Sequence, residues 1–361
     1  MSKSHYIIPI FVPHEGCPHD CVFCNQNSIT GQQSDVDAAY VRETIDAYLG
    51  TIKKENSVIE VSFFGGTFTA IGISKQRELL AVAKEYKDRG LINLIHLSTR
   101  PDYIDDQILG NLKDYTVDVI ELGIQSMDEE VLERSGRGHT ALQAAEASRL
   151  IREYGFTLGH QIMLGLPGDD FDKDIRTAQA VISLKPDICR IYPALIIKDT
   201  EMERLYKRGE YIPYTLREAV EISKILYSML VSEGINVIRV GLQPTEEINT
   251  GGDLVAGPFH PAFRELVEGS LFSDMIGEAL GGKDTAEVLI RINGKDMSKL
   301  YANRKEFFNE MKEKMKINKI KVEADSGLNR GELLLEAGGY RKGLSLKNYM
   351  SEKYKLFRSK R

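Results

Sequence analysis

GCPHDCVFC, residues 16–24, holds three of the four cysteines of a 361-residue chain. They run as Cys17, Cys21 and Cys24, with three and then two residues between them. Thiols gathered so closely point to metal chemistry. A cubane iron-sulfur cluster normally takes four cysteine thiolates, so a set of three leaves one iron open to a substrate or cofactor. Three cysteines with His14 or His19 would also suit tetrahedral zinc. A disulfide framework suits the chain poorly, because it is long and has few cysteines.

Outward from this stretch the chain alternates. Tyr6 to Val12 reads as a strand leading straight into the cysteine loop. From Val36 to about Glu55 apolar residues recur at helical spacing, with Asp35 placed to cap. Further strands are expected at Val58 to Phe64, Asn93 to Ser98, Val117 to Ile124, Phe156 to Leu164 and Ile188 to Tyr192. Helical stretches fall between them, near Ser74 to Arg89, Asp105 to Lys113, Asp128 to Arg134, Thr140 to Tyr154 and Asp172 to Leu184. Parallel strands need crossovers and helices supply them, so the pattern predicts an α/β fold with a parallel sheet.

The unusual residues fall at the carboxyl ends of these strands. GGTF (Gly65 to Phe68) follows the second, STRPD (Ser98 to Asp102) the third and GIQS (Gly123 to Ser126) ends the fourth. MLGLPG (Met163 to Gly168) ends the fifth and YPA (Tyr192 to Ala194) the sixth. That rim is where open parallel sheets and barrels bind ligands. A zinc knuckle has no need of five more decorated strand ends. His160 is expected in the core, and Cys189 as a packed core thiol rather than a fourth ligand.

The cysteine spacing, the aromatic Phe23 before the last cysteine and the rim motifs together resemble the radical S-adenosylmethionine (SAM) superfamily. GCPHDCVFCNQNSITG, FFGGTF, STRPDYID, ELGIQSMDEEVLERSGRGHT and RIYPALIIKDTEMERLYKRGEY are similar to the radical SAM part of the Elongator catalytic subunit, over about Tyr6 to Gly241. The resemblance implies a partial (β/α)6 TIM-like barrel, a 4Fe-4S cluster on Cys17, Cys21 and Cys24, and reductive cleavage of SAM to a 5'-deoxyadenosyl radical that abstracts hydrogen. It further implies an electron donor such as ferredoxin or flavodoxin.

Carried over residue by residue, the resemblance puts Phe23, Gly65, Gly66, Thr67, Ser98, Gln125, Arg137, Met163 and Leu164 around SAM. Arg137 has the planar fork that a carboxylate accepts. Gln125 offers an amide to the same group or to the ribose. Ser98 departs from the family, which commonly has a glutamate there. Tyr192 and His260 are candidate substrate contacts. The resemblance points to RNA (tRNA) as substrate, with a small molecule in the manner of coproporphyrinogen oxidases as the first alternative and a non-catalytic metal-binding protein as the second. No GxGxxG-type acetyl-CoA loop is found, so acetyl transfer is not carried over.

Three parts are expected: the barrel over 1–241, an extension packing on it over 242–285, and a small α+β module over 286–361. Strands in the last are expected at Ala286 to Ile292, Ile317 to Val322 and Leu333 to Leu335, with a helix from about Lys295 to Lys316. The net charge of -6 conceals an asymmetry, since Lys295 to Arg361 carries eighteen Lys and Arg against nine Asp and Glu. Such a positive end suits a phosphate backbone, or is simply a solvated face. A hydrophobic content of 42% supports a core, and the absence of a long apolar run argues against a membrane span and for a cytoplasmic setting.

Overall fold

Six strands, taken up in chain order, make the frame that carries the rim motifs. The computed structural model describes residues 4–12, 19, 21–25, 36–52, 57–242, 252–283 and 286–358. The strands are β1 (Ser4–Val12), β2 (Ser57–Gly65), β3 (Leu94–Thr99), β4 (Val119–Gln125), β5 (Thr157–Leu164) and β6 (Ile188–Pro193). Each pairs in parallel with the next. Between them run α1 (Ala38–Leu49), α2 (Ile73–Asp88), α3 (Asp106–Asp114), α4 (Glu129–Arg134) and α5 (Ala141–Glu153), and α6 (Phe171–Leu184) joins β5 to β6.

Local chemistry explains the helix starts. The side chains of Asp105, Asp128, Thr140 and Asp170 each accept a backbone N–H in the first turn of the helix they precede. Asp37 does the same for α1, and Asp35, expected in that role, lies outside the described residues.

The two faces of the sheet differ sharply. Because alternate residues point to opposite faces, Ile8, Ile10, Val61, Phe63, Ile95, Leu97, Ile120, Leu122, Leu158 and Ile162 share one, and all are fully buried in the apolar core. His160 and Cys189 lie on this face too. Burial pushes His160 down to about 3, and its Nε2 lies 2.9 Å from Ser148 Oγ. Cys189 is fully buried, and burial, then Glu121, push its thiol up.

The opposite face is polar. It carries Glu60 and Ser62 from β2, His96 and Ser98 from β3, Glu121 from β4, Gln161 from β5, and Arg190 and Tyr192 from β6. His96 Nδ1 lies 2.7 Å from Glu60 Oε1, and Arg190 Nε donates to Glu121 Oε2 over 2.8 Å. Gly159 faces Glu121, and a Cβ there would sit 3.1 Å from its Cγ. The glycine makes room for the carboxylate.

By compactness the chain divides into two units: Met1–Pro213 with Gln243–Gly257, and Tyr214–Leu242 with Pro258–Arg361. The second unit contains helices Leu216–Ser232, Phe263–Leu280, Ala302–Lys314 and Leu346–Arg358. Its four-stranded sheet is ordered Lys319–Ala324, Glu287–Ile292, Glu332–Ala337, Tyr340–Ser345, with the first pair parallel and the others antiparallel. The single helix expected from Lys295 to Lys316 is broken, into Met297–Leu300 and Ala302–Lys314. The last strand and last helix were not anticipated.

Candidate active site

The cysteine turn sits at the carboxyl rim of the first unit. Cys24 N–H donates to the Cys21 carbonyl over 2.9 Å, which puts the two residues on one tight turn. Cys21 is buried and Cys24 is half-buried. Cys17 lies outside the described residues. Among those described, no three His, Cys, Asp or Glu side chains gather closely enough to hold a metal ion. Backbone bonds fix the turn from two sides: Val22 N–H donates to Ser135 over 3.1 Å, and Met202 N–H donates to Val22 over 2.8 Å.

Two guanidiniums converge on the Cys21 sulfur. Arg137 Nη1 is 3.2 Å from it and Arg100 Nη1 is 3.8 Å away. Arg100 also forks onto Asp102, with Nε and Nη2 each donating over 3.0 Å, and bonds the Arg137 carbonyl. Arg137 Nη2 donates to the Gly123 carbonyl over 2.5 Å, and its guanidinium stands over the Phe23 ring. Burial lowers the Arg137 pKa from its usual value; Cys21 opposes that shift and Arg100 adds to it. Two buried guanidiniums therefore stand together at this sulfur, a setting that suits an anionic ligand.

Gln125 is re-aimed by the backbone. The β4–β5 register shifts between Gly123 and Gln125, and Gln125 takes a left-handed conformation with φ of 65°. Such conformations cost energy for a non-glycine residue and cluster at functional sites. Its Oε1 is buried with no hydrogen-bond partner.

The other expected residues take several places. Gly65 ends β2 with φ of 102°, a conformation that suits glycine, and Gly66 N–H bonds the Val12 carbonyl over 3.1 Å. Thr67 is buried, and Thr69 Oγ1 lies 2.6 Å from Thr99 Oγ1, which ties the glycine turn to the end of β3. Ser98 is half-buried on the polar face. Phe23, Met163 and Tyr192 belong to one apolar cluster beside the cysteine turn. Tyr192 OH accepts from Arg190 over 3.3 Å. Leu164, next to Met163 in β5, turns its buried side chain to the opposite face, with Ile162. His260 lies in the second unit, where its Nδ1 accepts the Ala262 N–H over 3.1 Å in a turn.

Two family models match this chain: the radical SAM superfamily over residues 11–181 and the radical SAM C-terminal domain over residues 186–272. The chain belongs to the radical SAM superfamily. Among its relatives is a tRNA uridine(34) acetyltransferase of Methanocaldococcus jannaschii, 30% identical over 264 residues, covering 62% of this chain and 49% of the relative. Another is the Elongator complex protein 3 of Bos taurus, 29% identical over 274 residues, covering 63% and 49%. The chain thus spans about half the length of these curated relatives. In fold it is similar to the archaeal Elp3 of Methanocaldococcus infernus, with a TM-score of 0.59 at 20% identity over 79% of this chain and 67% of that one.

Radical SAM proteins carry a 4Fe-4S cluster and SAM, and the described residues fit both. The thiols of Cys21 and Cys24 share a turn, the cations around Cys21 suit a thiolate, and Gln125 holds a buried acceptor with no partner inside the protein.

Sequence reasoning missed Arg100 and His139. Arg100 stood inside a motif placed at the rim but was given no role of its own. Burial, then Arg137 and Arg100, push His139 down to about 3. No spacing in the sequence marks either contact, since Arg100 and Arg137 lie far along the chain from Cys21.

Proposed function

We propose that this chain is a radical SAM enzyme whose substrate is a tRNA nucleotide. The observation that carries the reading is the Cys21 sulfur buried between Arg100 and Arg137, on the same rim as the unpartnered amide oxygen of Gln125. Cys17, Cys21 and Cys24 would hold the cluster. When bound, the cluster supplies the electron that cleaves SAM to a 5'-deoxyadenosyl radical able to abstract hydrogen.

The protein's own part is placement and protection. Gly65 and Gly66 let the backbone approach the methionyl end of SAM, with Thr67 beside them. Gln125 Oε1 accepts a hydrogen bond from an amino or hydroxyl group, and Ser98 offers a neutral one. Phe23, Met163 and Tyr192 form an apolar wall that keeps water from the reacting carbon. Arg137 either stays on Cys21 or turns its fork to the SAM carboxylate. The RNA part of the reading is supported by relatives named for tRNA uridine modification.

A small-molecule substrate is the second reading, favoured by one observation: many cations of the C-terminal segment are neutralised by neighbouring carboxylates. Lys319 pairs with Glu287, Lys321 with Glu323 and Arg341 with Glu336. The test is to reduce the anaerobically reconstituted chain with SAM and measure 5'-deoxyadenosine with and without bulk tRNA. Stimulation by tRNA is expected. Stimulation by a tRNA-free metabolite extract alone would give the second reading the field.

A further inference from the structure

The helix Ala302–Lys314 keeps its charges apart. Glu306 and Glu310, one turn from each other, accept from Arg217 Nη2 and Nη1 over 3.0 and 3.1 Å. The cations of the same helix are not drawn into such pairs. Among the described residues Arg304, Lys305, Lys312, Lys314 and the following Lys316 form no ion pair, in contrast to Lys299, Lys319, Lys321 and Lys353, each of which meets a carboxylate. Lys312 is half-buried and the other four unpaired cations are exposed. Lys312 and Lys316, with Asn309, Glu313, Ile317 and Asn318, line a recess of about 280 Å³.

The backbone carries these cations in costly conformations. The helix closes with Lys316 N–H donating to the Glu313 carbonyl and Ile317 N–H to the Lys312 carbonyl, each over 3.0 Å. That pair of bonds sets up a left-handed position that favours glycine, yet Lys316 occupies it with φ of 52°. At the other end Asn303, Arg304 and Lys305 take φ of 48°, 53° and 68° in succession. Left-handed residues other than glycine cost stability, and they cluster at functional sites. Cations in a last turn also complement the helix dipole, which is reason enough for Lys312 and Lys314. It gives no reason for a lysine in the left-handed position, nor for Arg304 and Lys305 at the amino end, where the dipole disfavours positive charge.

We propose that Arg304, Lys305, Lys312 and Lys316 form a docking surface for the sugar-phosphate backbone of RNA. This rests on the tRNA reading made above. The two ends of the cation row lie roughly 15 Å apart along the helix, and cations without carboxylates of their own neutralise phosphates and release their counterions. Asn309 and Asn318 add uncharged donors at the recess. A membrane surface suits this helix poorly, because an interfacial helix needs an apolar face to insert, and here Phe307, Phe308 and Met311 are buried in the protein. Contacts to the backbone position a nucleic acid and do not read its bases.

The test is retention of bulk tRNA on filters by the full chain over a range of salt. Lys312→Gln with Lys316→Gln, and Arg304→Gln with Lys305→Gln, should each weaken binding about tenfold or more at low salt and flatten the slope of log affinity against log salt by about one to two. Lys312→Arg with Lys316→Arg keeps the charges and should keep the slope. Lys316→Gly suits the left-handed position, so it should hold or raise the thermal midpoint and still flatten the slope by about one.

Glutamine variants that fold and keep the unaltered slope would overturn the proposal. So would variants that keep tRNA and lose vesicles of anionic lipid, since the partner would then be a membrane surface. Stimulation of 5'-deoxyadenosine release by tRNA in the unaltered chain, together with unaltered slopes in the variants, would overturn this surface alone. Neither retention nor stimulation in the unaltered chain would overturn the tRNA reading as well.

Discussion

Gly123 shows how closely single residues are fitted around the candidate site. A Cβ at this position would lie 2.9 Å from Gln125 Nε2, 3.6 Å from the Thr99 carbonyl and 3.7 Å from Arg137 Nη2. The end of a flexible side chain yields more cheaply than backbone, so Gly123→Ala should displace the Gln125 amide and leave the fold standing. Losing one hydrogen bond of about 1 kcal/mol weakens binding several-fold. SAM affinity by equilibrium dialysis should fall by roughly that factor, with the thermal midpoint nearly unchanged; unchanged affinity would remove Gln125 from the SAM contacts. At this scale the sequence was partly legible. The cysteines and Gly65–Gly66 declared themselves by type and spacing, because thiols and adjacent glycines have few other uses. The left-handed backbone of Gln125 and the reach of Arg100 depend on how β4 and β3 sit beside each other, which no local pattern records.

At the scale of elements, the polar face of the sheet is the feature with the clearest energetic consequence. Burial alone would raise the Glu60 carboxyl, but bonds from His96 and Ser62 and the charges of His96 and His5 win, and hold it at about 2 against an ordinary 4.5. A carboxylate depressed in the folded state stabilises above its unfolded pKa, and that contribution is lost as pH falls through the folded value. Between about pH 4.5 and pH 2 the loss assigned to Glu60 is on the order of 3 kcal/mol. Urea unfolding at pH 7 and pH 3 should therefore show a smaller acid loss in Glu60→Gln than in the unaltered protein. An equal loss would mean that other groups carry the acid limb.

Gly159→Ala tests the same face by sterics. Its Cβ would stand 3.0 Å from Ile188 Cγ1 and 3.1 Å from Glu121 Cγ, pressing on the carboxylate that accepts from Arg190. Overpacking of that kind costs roughly 1 to 3 kcal/mol, to be read as a lower urea midpoint; no change would mean that the face relaxes freely. Alternation of strand and helix made β1 to β6 readable, with ends within a few residues of those expected, whereas the strand Asn236–Val240 was not among those expected. The short strand and final helix at Tyr340–Ser345 and Leu346–Arg358 escaped, because Leu346, Tyr349 and Met350 are few among many charges and the stretch reads as a polar tail.

Across the whole molecule, a count of charges in sequence misleads where pairing is long-range. The excess of cations after Lys295 suggested a surface for phosphates, yet Lys299 bonds Glu268 and Asp296, and Lys353 bonds Glu278. Lys319 and Glu287 meet only because their strands lie side by side. Exposed pairs of this sort contribute little. Accordingly Lys319→Gln and Lys321→Gln should each leave tRNA retention on filters within about twofold, at any salt concentration where the unaltered chain binds. A large loss would show that these lysines leave their carboxylates for phosphate.

The central claim is that Cys17, Cys21 and Cys24 hold a cluster with one open iron that SAM can reach. Its most direct measurement is iron and sulfide content together with 5'-deoxyadenosine release, made on the anaerobically reconstituted chain and on Cys21→Ala. The expected result is about four irons per chain with nucleoside release in the unaltered protein, and neither in the variant. A colourless protein with bound zinc, or nucleoside release that survives Cys21→Ala, would contradict it.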